Sequence, residues 1–461
     1  MRIILTVVLL LLSPFALSQQ STAQHALPDD GEFTMALTGD SIITRRLSVY
    51  KEPEFLELIE MIRSADAAFT NLEILFHDYE PYPMAVSGGT WMRADPSLVN
   101  DVTWAGFDMV ARANNHTGDY GVEGQRLTTM YVREAGLVQA GVGESLAEAR
   151  EAKFLETPRV RVALISVAST FANHMRAGRS RDNVSARPGL NPIGYDKKHF
   201  LPKAELDSLR SIAQKFGLFR DQDGMPRGYS EKNPNEFRAF GEKFALGDEP
   251  RVETTLNEGD VADIAAVVNN AKRLADIVIV TVHAHEWKGN RETPADFIPD
   301  FARRMVDAGA DVFVGHGPHV LRGIEVYKEK PIFYSLGDFI FQNETLLRLP
   351  SENYERFDLE DHHHVADFNA KRYNNDTSGF PANPEIWEAV TAFPRWKNGK
   401  LVEVKLVPIS LGHGLPTSVR GRPILAEKKL AEKIIGDLQA RSAPFGTRIT
   451  LRNGIGYVEL E

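Results

Sequence analysis

Residues 312–341 contain two histidines in a short turn that is shaped by glycine and proline. The apolar run 312–314 is typical of a buried strand, and Gly-His-Gly-Pro-His at 315–319 follows it directly. Glycine allows a sharp turn and proline fixes one backbone angle, so we expect His316 and His319 to lie close together on a stiff loop. Neutral imidazoles held in this way are suited to binding a metal ion. The alternative is a pair of histidines on a surface loop.

Four other predicted strands also end in residues that could bind a metal. These residues are Asp40 after strand 33–37, Glu73 after strand 67–70, Asn115 after strand 108–111, and His283 after strand 277–282. In α/β sheets, ligand sites gather at the carboxyl ends of strands, so we expect these side chains to meet His316 and His319 there. Either Asp40 or Glu73 could bridge two ions about 3.5–4 Å apart, as in two-metal hydrolases. Taken singly, the acidic and amide residues could equally belong to ordinary turns.

The run 113–121 adds groups that could move a proton. His116 comes directly after Asn115, so it would stand just outside the metal ligands and could donate a proton to a leaving group. Asp119 could orient the ring, as carboxylates orient histidines at other sites. The alternative for this run is a loop of Asx turns. Substrate contact is expected from the remaining polar residues near the strand ends, Asn114, His285 and Asp338, with the role of His285 left open.

Composition narrows the class of protein and the kind of metal. The 461-residue chain has 43% hydrophobic and 25% charged residues, which is typical of a globular protein with two average domains or one large one. Its formal net charge of −10 argues against a nucleic-acid partner, and a polyanionic substrate would need a local metal or arginine site. The absence of cysteine excludes disulfides, thiolate ligands and a thiol nucleophile. With His, Asp, Glu and Asn as ligands, one or two divalent ions of Mn, Zn, Fe or Mg are favoured.

The first 18 residues have the pattern of a signal peptide. Arg2 is followed by an aliphatic run at 3–12 and by Ala-Leu-Ser at 16–18, which predicts cleavage after Ser18. The run is much shorter than the roughly 20 residues that span a membrane. We therefore expect export to a periplasm or the cell surface, with a flexible segment at 19–32. The alternative is an uncleaved N-terminal anchor.

The order of predicted elements indicates the fold class. Strands and helices alternate up to residue 167, which predicts an α/β fold with a largely parallel sheet and helices outside. Residues 171–257 interrupt the alternation, with one helical stretch at 202–216, and we interpret them as an insertion over the active edge. Four arginines in this insertion could contact an anionic substrate or form a solvated basic loop: Arg176, Arg179, Arg181 and Arg187.

Two patterns stand out after residue 341. The three adjacent histidines at 362–364 lie in a polar stretch without helix or strand pattern, which indicates a surface loop. Asn-Gly at 398–399, between the apolar runs 386–393 and 401–407, predicts a β-hairpin.

These patterns suggest a simple division of the chain. We place one domain at 33–412, including the insertion at 171–257. A C-terminal segment at 413–461 follows, with a helix at 426–439 and two short strands.

In order along the chain, the motifs resemble those of the CapA family of polyglutamate capsule synthesis proteins, which are similar to calcineurin-like metallophosphatases. The matching motifs are Gly39-Asp40, Asn71-Leu72-Glu73, Ala113-Asn114-Asn115-His116 with Asp119-Tyr120-Gly121, the segment around His283, Gly315-His316-Gly317-Pro318-His319, and Tyr334-Ser335-Leu336-Gly337-Asp338-Phe339. They cover about two-thirds of the chain. Together they are specific, whereas Gly39-Asp40 alone would not be.

The resemblance implies a four-layer α-β-β-α sandwich with insertions, in which two sheets pack face to face. It implies two ligand sets, with His116 as the acid: Asp40, Glu73 and His319 for one ion, and Glu73, Asn115, His283 and His316 for the other. The chain departs from the usual metallophosphatase pattern at several positions. Ile42 replaces the histidine of an opening Asp-x-His, Glu73 replaces Asp, His283-Ala284-His285 replaces His-Trp-Gly, and Asp338 stands where Asn is frequent.

The function that the resemblance favours is a secreted, metal-dependent hydrolase acting on a phosphoester or a related cell-envelope substrate. A second hypothesis is an accessory protein that binds or handles poly-γ-glutamate, an anionic polymer, at the cell surface. It would act in association with membrane-bound capsule machinery. A third is an enzyme that cleaves amide bonds at the same metal centre. Family membership alone does not separate these, because one fold can carry several functions.

Overall fold

The computed structural model describes residues 31–218 and 235–460. The expected signal peptide at 1–18, most of the segment at 19–32, and residues 219–234 of the insertion lie outside the described residues. None of the described helices is long and apolar enough to cross a membrane.

The larger of two central sheets has ten strands within the described chain. They are β1 Glu32–Ile42, β2 Ala67–Leu72, β5 Met109–Ala111, β6 Val138–Ala140, β21 Asp338–Phe341, β22 Glu388–Lys397, β23 Lys400–Ser410, β24 Ile424–Leu425, β25 Ile449–Arg452 and β26 Ile455–Val458. The main path is β25-β26-β23-β22-β1-β2-β5-β6, with β21 beside β1 and β24 beside β23. Because β1, β2, β5 and β6 are parallel, their carboxyl ends share one edge.

The second sheet has six strands in the order β19-β20-β18-β15-β9-β8. They are β8 Lys153–Glu156, β9 Arg161–Ala168, β15 Ile277–His283, β18 Val312–His316, β19 Ile324–Tyr327 and β20 Lys330–Phe333. The strands β9, β15, β18 and β20 are parallel. The central strands β15 and β18 are buried along their whole length, which explains why their sequences are continuous apolar runs.

Ten α-helices lie in the described residues. They are α1 Pro53–Arg63, α2 Val99–Trp104, α3 Gly121–Glu134, α4 Leu146–Arg150, α5 Lys203–Lys215, α6 Glu258–Lys272, α7 Phe297–Asp307, α8 Ser351–Glu355, α9 Val365–Arg372 and α10 Lys428–Ser442. In α7, apolar residues recur every three to four positions and pack against the second sheet, as expected for an amphipathic helix.

The two sheets pack face to face, and helices cover their outer faces. Phe69 and Met109 of the first sheet share one core cluster with Leu164, Ile279 and Val314 of the second. On the outer side of the first sheet, α1, α2 and α3 form another apolar cluster. On the outer side of the second sheet, α6 and α7 form a third. The prediction of a mixed α/β protein is confirmed, and its layers follow the order helix, sheet, sheet, helix.

The insertion is more regular than its sequence indicated. It contains a four-stranded sheet in the order β12-β13-β11-β14, made of β11 Tyr195–Leu201, β12 Glu236–Ala239, β13 Glu242–Leu246 and β14 Arg251–Leu256. The predicted helix is present as α5, and Leu206 of this helix packs on Phe237 of the sheet. The sequence pattern did not indicate these strands, because they are half-exposed and their charged residues mask the apolar alternation.

Three short strand pairs complete the structure. They are β3 Leu75–Phe76 with β4 Arg93–Ala94, β7 Val142–Gly143 with β10 Gly189–Leu190, and β16 Trp287–Lys288 with β17 Asn290–Pro294. The last pair borders the candidate site described below.

The predicted hairpin after residue 386 is confirmed. β22 and β23 are antiparallel and joined by Asn398 and Gly399, which have φ angles of 52° and 75°. Two successive positive φ angles are the requirement of the turn for which Asn-Gly is favoured. Further along, β26 pairs with β23, so the segment 413–461 extends the larger sheet.

Candidate metal centre

The strand register brings residues from both sheets to one edge. The Cα of Asp40 in β1 is paired with Asn71 of β2 on one side and with Asp338 of β21 on the other. In the second sheet, His283 at the end of β15 is paired with His316 at the end of β18. Because these parallel strands end together, their carboxylate, amide and imidazole groups lie at the same edge of the two sheets.

Glycines allow the backbone segments to approach closely here. A Cβ atom on Gly39 would lie 1.8 Å from the carbonyl oxygen of Gly337, so no larger residue fits between β1 and the start of β21. Gly317 has a φ of +108°, and a Cβ atom there would lie 3.0 Å from Nε2 of His283. The Gly-His-Gly-Pro-His turn can therefore fold over the end of β15 only with glycine at this position.

Asp40, His283 and His316 form the first group of candidate ligands. The Nδ1 atoms of His283 and His316 lie 3.8 Å and 3.7 Å from Oδ1 of Asp40, and 3.0 Å from each other. Asn71 Nδ2 donates a hydrogen bond of 2.7 Å to Asp40 Oδ1, and the Gly317 N–H donates one of 2.8 Å to Oδ2. These contacts fix the orientation of the carboxylate toward the two imidazoles.

Glu73, His285 and His319 form the second group. Oε1 of Glu73 lies 4.0 Å from Nε2 of His319 and 3.7 Å from Nε2 of His283. Nε2 of His285 is 2.9 Å from Nε2 of His283. Glu73 thus lies between the two groups, which is the position that a bridging carboxylate requires.

Several buried atoms of ligand type lack a hydrogen-bond partner in the described chain. They are both carboxylate oxygens of Glu73, Oδ1 of Asn115, Nε2 of His316 and Oδ2 of Asp338. Buried polar atoms are nearly always bonded, so a cluster of exceptions at one place needs an explanation. Oxygen and imidazole nitrogen donors in this number fit a hard or borderline divalent cation.

The electrostatics of the cluster also fit a cation. Burial, followed by the charges of Asp40 and Asp338, raises the pKa of Glu73 well above its usual range. Burial lowers the pKa of His316 to about 4 and holds the pKa values of His283 and His285 well below the usual range. These three histidines are thereby kept in the neutral form that binds metals, and a cation would offset the repulsion between the carboxylates.

His116 and Asp119 stand beside this cluster as a hydrogen-bonded pair. Nδ1 of His116 lies 2.6 Å from Oδ2 of Asp119, and the backbone N–H groups of Gly88 and Met92 donate to the same carboxylate at 3.0 Å and 2.8 Å. With Nδ1 held in this way, Nε2 of His116 is directed inward, 3.8 Å from Oε1 of Glu73. The orientation expected from the sequence is present.

A cavity of about 190 Å³, here called the metal-site cavity, opens above the cluster. Predicted site residues line it, namely Asn115, His116, His285 and His319. Two arginines that the sequence analysis did not single out, Arg291 and Arg372, also line it.

Asn114 and Asp338, which the sequence predicts to contact substrate, are not among the residues that line this cavity. Asn114 is fully buried and bonded within the loop, where its Nδ2 donates to the carbonyl of Leu72 and its Oδ1 accepts from the His116 N–H. Asp338 lies 2.8 Å from Nδ1 of His319, which has the left-handed φ of 58°. Asn114 therefore positions its neighbours, whereas Asp338 holds His319 and also offers a carboxylate oxygen as a candidate ligand.

The ligand groups in the structure overlap with the two sets that the resemblance implied. Asp40 lies with His283 and His316 in one group and with His319 and Asp338 in a third, where its Oδ2 is 3.8 Å from Nδ1 of His319. His285, expected to contact substrate, offers a ligand atom as well as lining the cavity. If β15 continued, the alternation of side chains would place His285 on the same face as His283 only while the strand lasted. Because β15 ends at His283, strand alternation does not determine the direction of His285. Asn115 keeps an unbonded Oδ1 in the cavity wall, while its Nδ2 donates to Gly88.

The basic and histidine-rich segments elsewhere do not reach this cavity. Arg176, Arg179, Arg181 and Arg187 are exposed and none of them lines it. Arg179 forms an ion pair with Asp263 of α6. The histidines at 362–364 precede α9 at the surface, where His364 caps that helix, and they are absent from the metal-ligand groups of the described residues.

Comparison with known proteins assigns the family. Residues 34–343, more than half of the chain, match the sequence profile described as bacterial capsule synthesis protein PGA_cap. The chain belongs to the PGA_cap family. The resemblance to CapA proteins is thereby confirmed, and the matched region of this PGA_cap protein includes every candidate ligand named above.

Relatives of the chain carry related names. The uncharacterized protein y4sH of Sinorhizobium fredii (strain NBRC 101917 / NGR234) is 38% identical over 454 residues, which is 95% of this chain and 95% of that protein. The capsule biosynthesis protein CapA of Bacillus anthracis is 26% identical over 73% of this chain and 66% of its own length. Among solved structures, NAD nucleotidase of Haemophilus influenzae aligns over 89% of this chain and 56% of that one at 8% identity, with a TM-score of 0.31. A TM-score of that size does not define a shared fold.

Proposed function

We propose that this chain is a metal-dependent hydrolase that acts on a phosphoester or a related cell-envelope substrate within capsule synthesis. The observation that carries the proposal is the position of His116. A histidine oriented by a buried carboxylate faces a cluster of buried, unbonded metal ligands at the floor of a cavity. Binding alone would not require an oriented proton donor at that point.

One or two divalent ions of Mn, Zn, Fe or Mg would be held by neighbouring groups of residues at this edge of the sheets. The groups are Asp40, His283 and His316; Glu73, His285 and His319; and Asp40, His319 and Asp338, with the unbonded Oδ1 of Asn115 as a further candidate ligand. When bound, such an ion supplies Lewis-acid polarisation of a substrate oxygen and activation of water.

The protein's own residues would then place and move the proton. His116 would carry a proton on Nε2 and pass it to the departing oxygen, while Asp119 accepts the Nδ1–H bond and stabilises the charged ring. Asp338 would hold His319 in the same way from its Nδ1 side.

The layer order also supports a metallophosphatase-like fold in the proposal. Two sheets that pack face to face and share a core, with helices outside, are what the resemblance to metallophosphatases implies. Where those proteins open with Asp-x-His, Ile42 lines the metal-site cavity here. His285 lies in the same cavity wall and offers an imidazole nearby, so it is our candidate for the missing ligand.

The proposal is tested with purified protein on a panel of activated phosphodiesters and phosphomonoesters. We expect turnover that is lost on dialysis against a chelator and returns with Mn²⁺ or Zn²⁺. No turnover with any panel member in fully metal-loaded protein would contradict the phosphoester proposal. Turnover of a γ-glutamyl amide alone would favour amide cleavage at the same centre.

A second candidate is an accessory protein that binds poly-γ-glutamate without cleaving it. The name of the Bacillus anthracis relative, capsule biosynthesis protein, favours a role in making a polymer. Polymer affinity that is unaffected by His116→Gln, together with no turnover of any substrate, would favour this candidate.

We also propose that the protein is exported to a periplasm or the cell surface. We propose an anionic polymer or phosphoester as its partner, together with contact to membrane-bound capsule machinery. We propose no nucleic-acid partner. Export is supported by Arg2, the aliphatic run at 3–12 and Ala-Leu-Ser at 16–18. N-terminal sequencing of the mature protein should begin near Gln19. Retention of Met1 in protein recovered from the cytoplasm would contradict export.

A further inference from the structure

Arg291 faces the metal-site cavity. It lies in β17, at the cavity wall next to His285 and His319. Among residues 31–218 and 235–460, no carboxylate forms an ion pair with its guanidinium, while its carbonyl accepts a hydrogen bond from Arg322. Burial is the largest influence on the pKa of Asp338, and the Arg291 charge acts against it, which places this cation within electrostatic reach of the cluster. The backbone of Arg291 is thus anchored, while its guanidinium forms no ion pair among the described residues.

Arg372 lines the same cavity but belongs to a different element of the chain. It is the last residue of α9, and its Nη1 donates to Oγ1 of Thr90 in the cavity wall. Its guanidinium also lies over the rings of Phe368, Tyr373 and Phe380, at 5.7, 5.0 and 5.8 Å from their centroids. These contacts hold the side chain in place, and no carboxylate within the described chain pairs with it.

The neighbouring groove shows the opposite arrangement. It is lined by residues of β11, β14 and the β16–β17 pair, and it shares His285 and Trp287 with the metal-site cavity. Its cations are each paired with a carboxylate: Lys197 with Glu242, Arg251 with Glu253, and Lys288 with Asp296. Unpaired arginines are therefore a property of the metal-site cavity and not of this whole face.

We propose that Arg291 and Arg372 form an oxyanion-binding subsite beside the metal centre, which holds the phosphate or carboxylate group of the substrate. The inference rests on the proposed function, because it assigns the substrate of the same site to an anionic class. A guanidinium presents a planar fork of donors that matches such oxygens. In a chain with a net charge of −10, whose cluster is itself acidic, two local cations are needed to bring an anion there.

The test is calorimetric binding of inorganic phosphate and of glutarate to metal-loaded protein. Arg291→Met and Arg372→Met should each weaken at least one of these anions about tenfold or more, since a lost charge-assisted hydrogen bond has roughly that effect. Arg291→Lys, which keeps the charge but loses the fork, should weaken binding less. The matched control is Arg251→Met, which removes an arginine from the paired groove and should leave affinity within about twofold of wild type.

The two anions identify the source of the bound group. A loss confined to phosphate supports a phosphoester substrate, and a loss confined to glutarate supports a carboxylate polymer, with the subsite supported in both cases. Equal affinities in wild type and both Met variants, or no binding of either anion to wild type, would overturn the subsite. Metal content and folding are measured on every variant. Because the readout is binding, absence of turnover would count against the proposed hydrolase and leave this result intact.

Discussion

Replacing His116 by glutamine is expected to lower the hydrolysis rate by roughly 10²–10⁴-fold, the usual contribution of general acid catalysis. Metal content and folding should remain, because Asn115 and the other ligand candidates are unchanged. The reason is geometric. Asp119 and two backbone N–H groups fix the ring so that Nε2 faces the cluster, and glutamine cannot supply a proton from that position.

The size of the loss should depend on the leaving group. Substrates with poor leaving groups need the proton most, so an activated nitrophenyl ester should be affected least. The matched control is His174→Gln, since His174 contacts the same loop at the Gly118 carbonyl and does not line the cavity. A rate within about twofold of wild type is expected for it. If His116→Gln instead abolished metal binding, His116 would be a ligand and its role as the acid would be wrong.

Replacing Glu73 by glutamine is expected to remove most of the stabilisation that metal gives to the fold. Glu73 is fully buried, its oxygens are unbonded, and it lies within 4.0 Å of imidazole nitrogens from both ligand groups. Wild-type protein should gain about 2.7 kcal/mol in unfolding free energy when free metal reaches 100 times its Kd. The variant should gain far less, because the neutral amide is a weak ligand and no longer bridges.

The measurement is urea unfolding with and without Mn²⁺ or Zn²⁺. Glu344→Gln is the matched control, because Glu344 is a buried carboxylate paired with Arg420 outside the cluster. That variant should lower basal stability and keep the full response to metal. An equal response to metal in wild type and Glu73→Gln would exclude Glu73 as a ligand.

The candidate ligands could be predicted from sequence because buried parallel strands have a clear sequence pattern. β15 and β18 are unbroken apolar runs, and each ends abruptly in a histidine. Since parallel strands end at a common edge, the position of His283 and His316 followed from pattern alone. The orienting role of Asp119 was also accessible, because three residues of turn bring it back to His116.

Other features depend on contacts between distant parts of the chain and have no local signal. Arg291 and Arg372 come from a short hairpin and a helix end, and only the packing of these elements brings both into one cavity. Asn114 and Asp338 stand in strand-end motifs, yet hydrogen bonds to neighbours turn them away from it. The position of His285 depends on where β15 stops, which a pattern of alternation does not reveal.

The most direct test of the proposed metal centre is the metal content of purified wild-type protein. It is measured by elemental mass spectrometry after growth in metal-supplemented medium. We expect one to two divalent ions per chain, and we expect His316→Ala to lose at least one of them. Folded wild-type protein that carries no divalent ion after such growth would contradict the proposed metal centre.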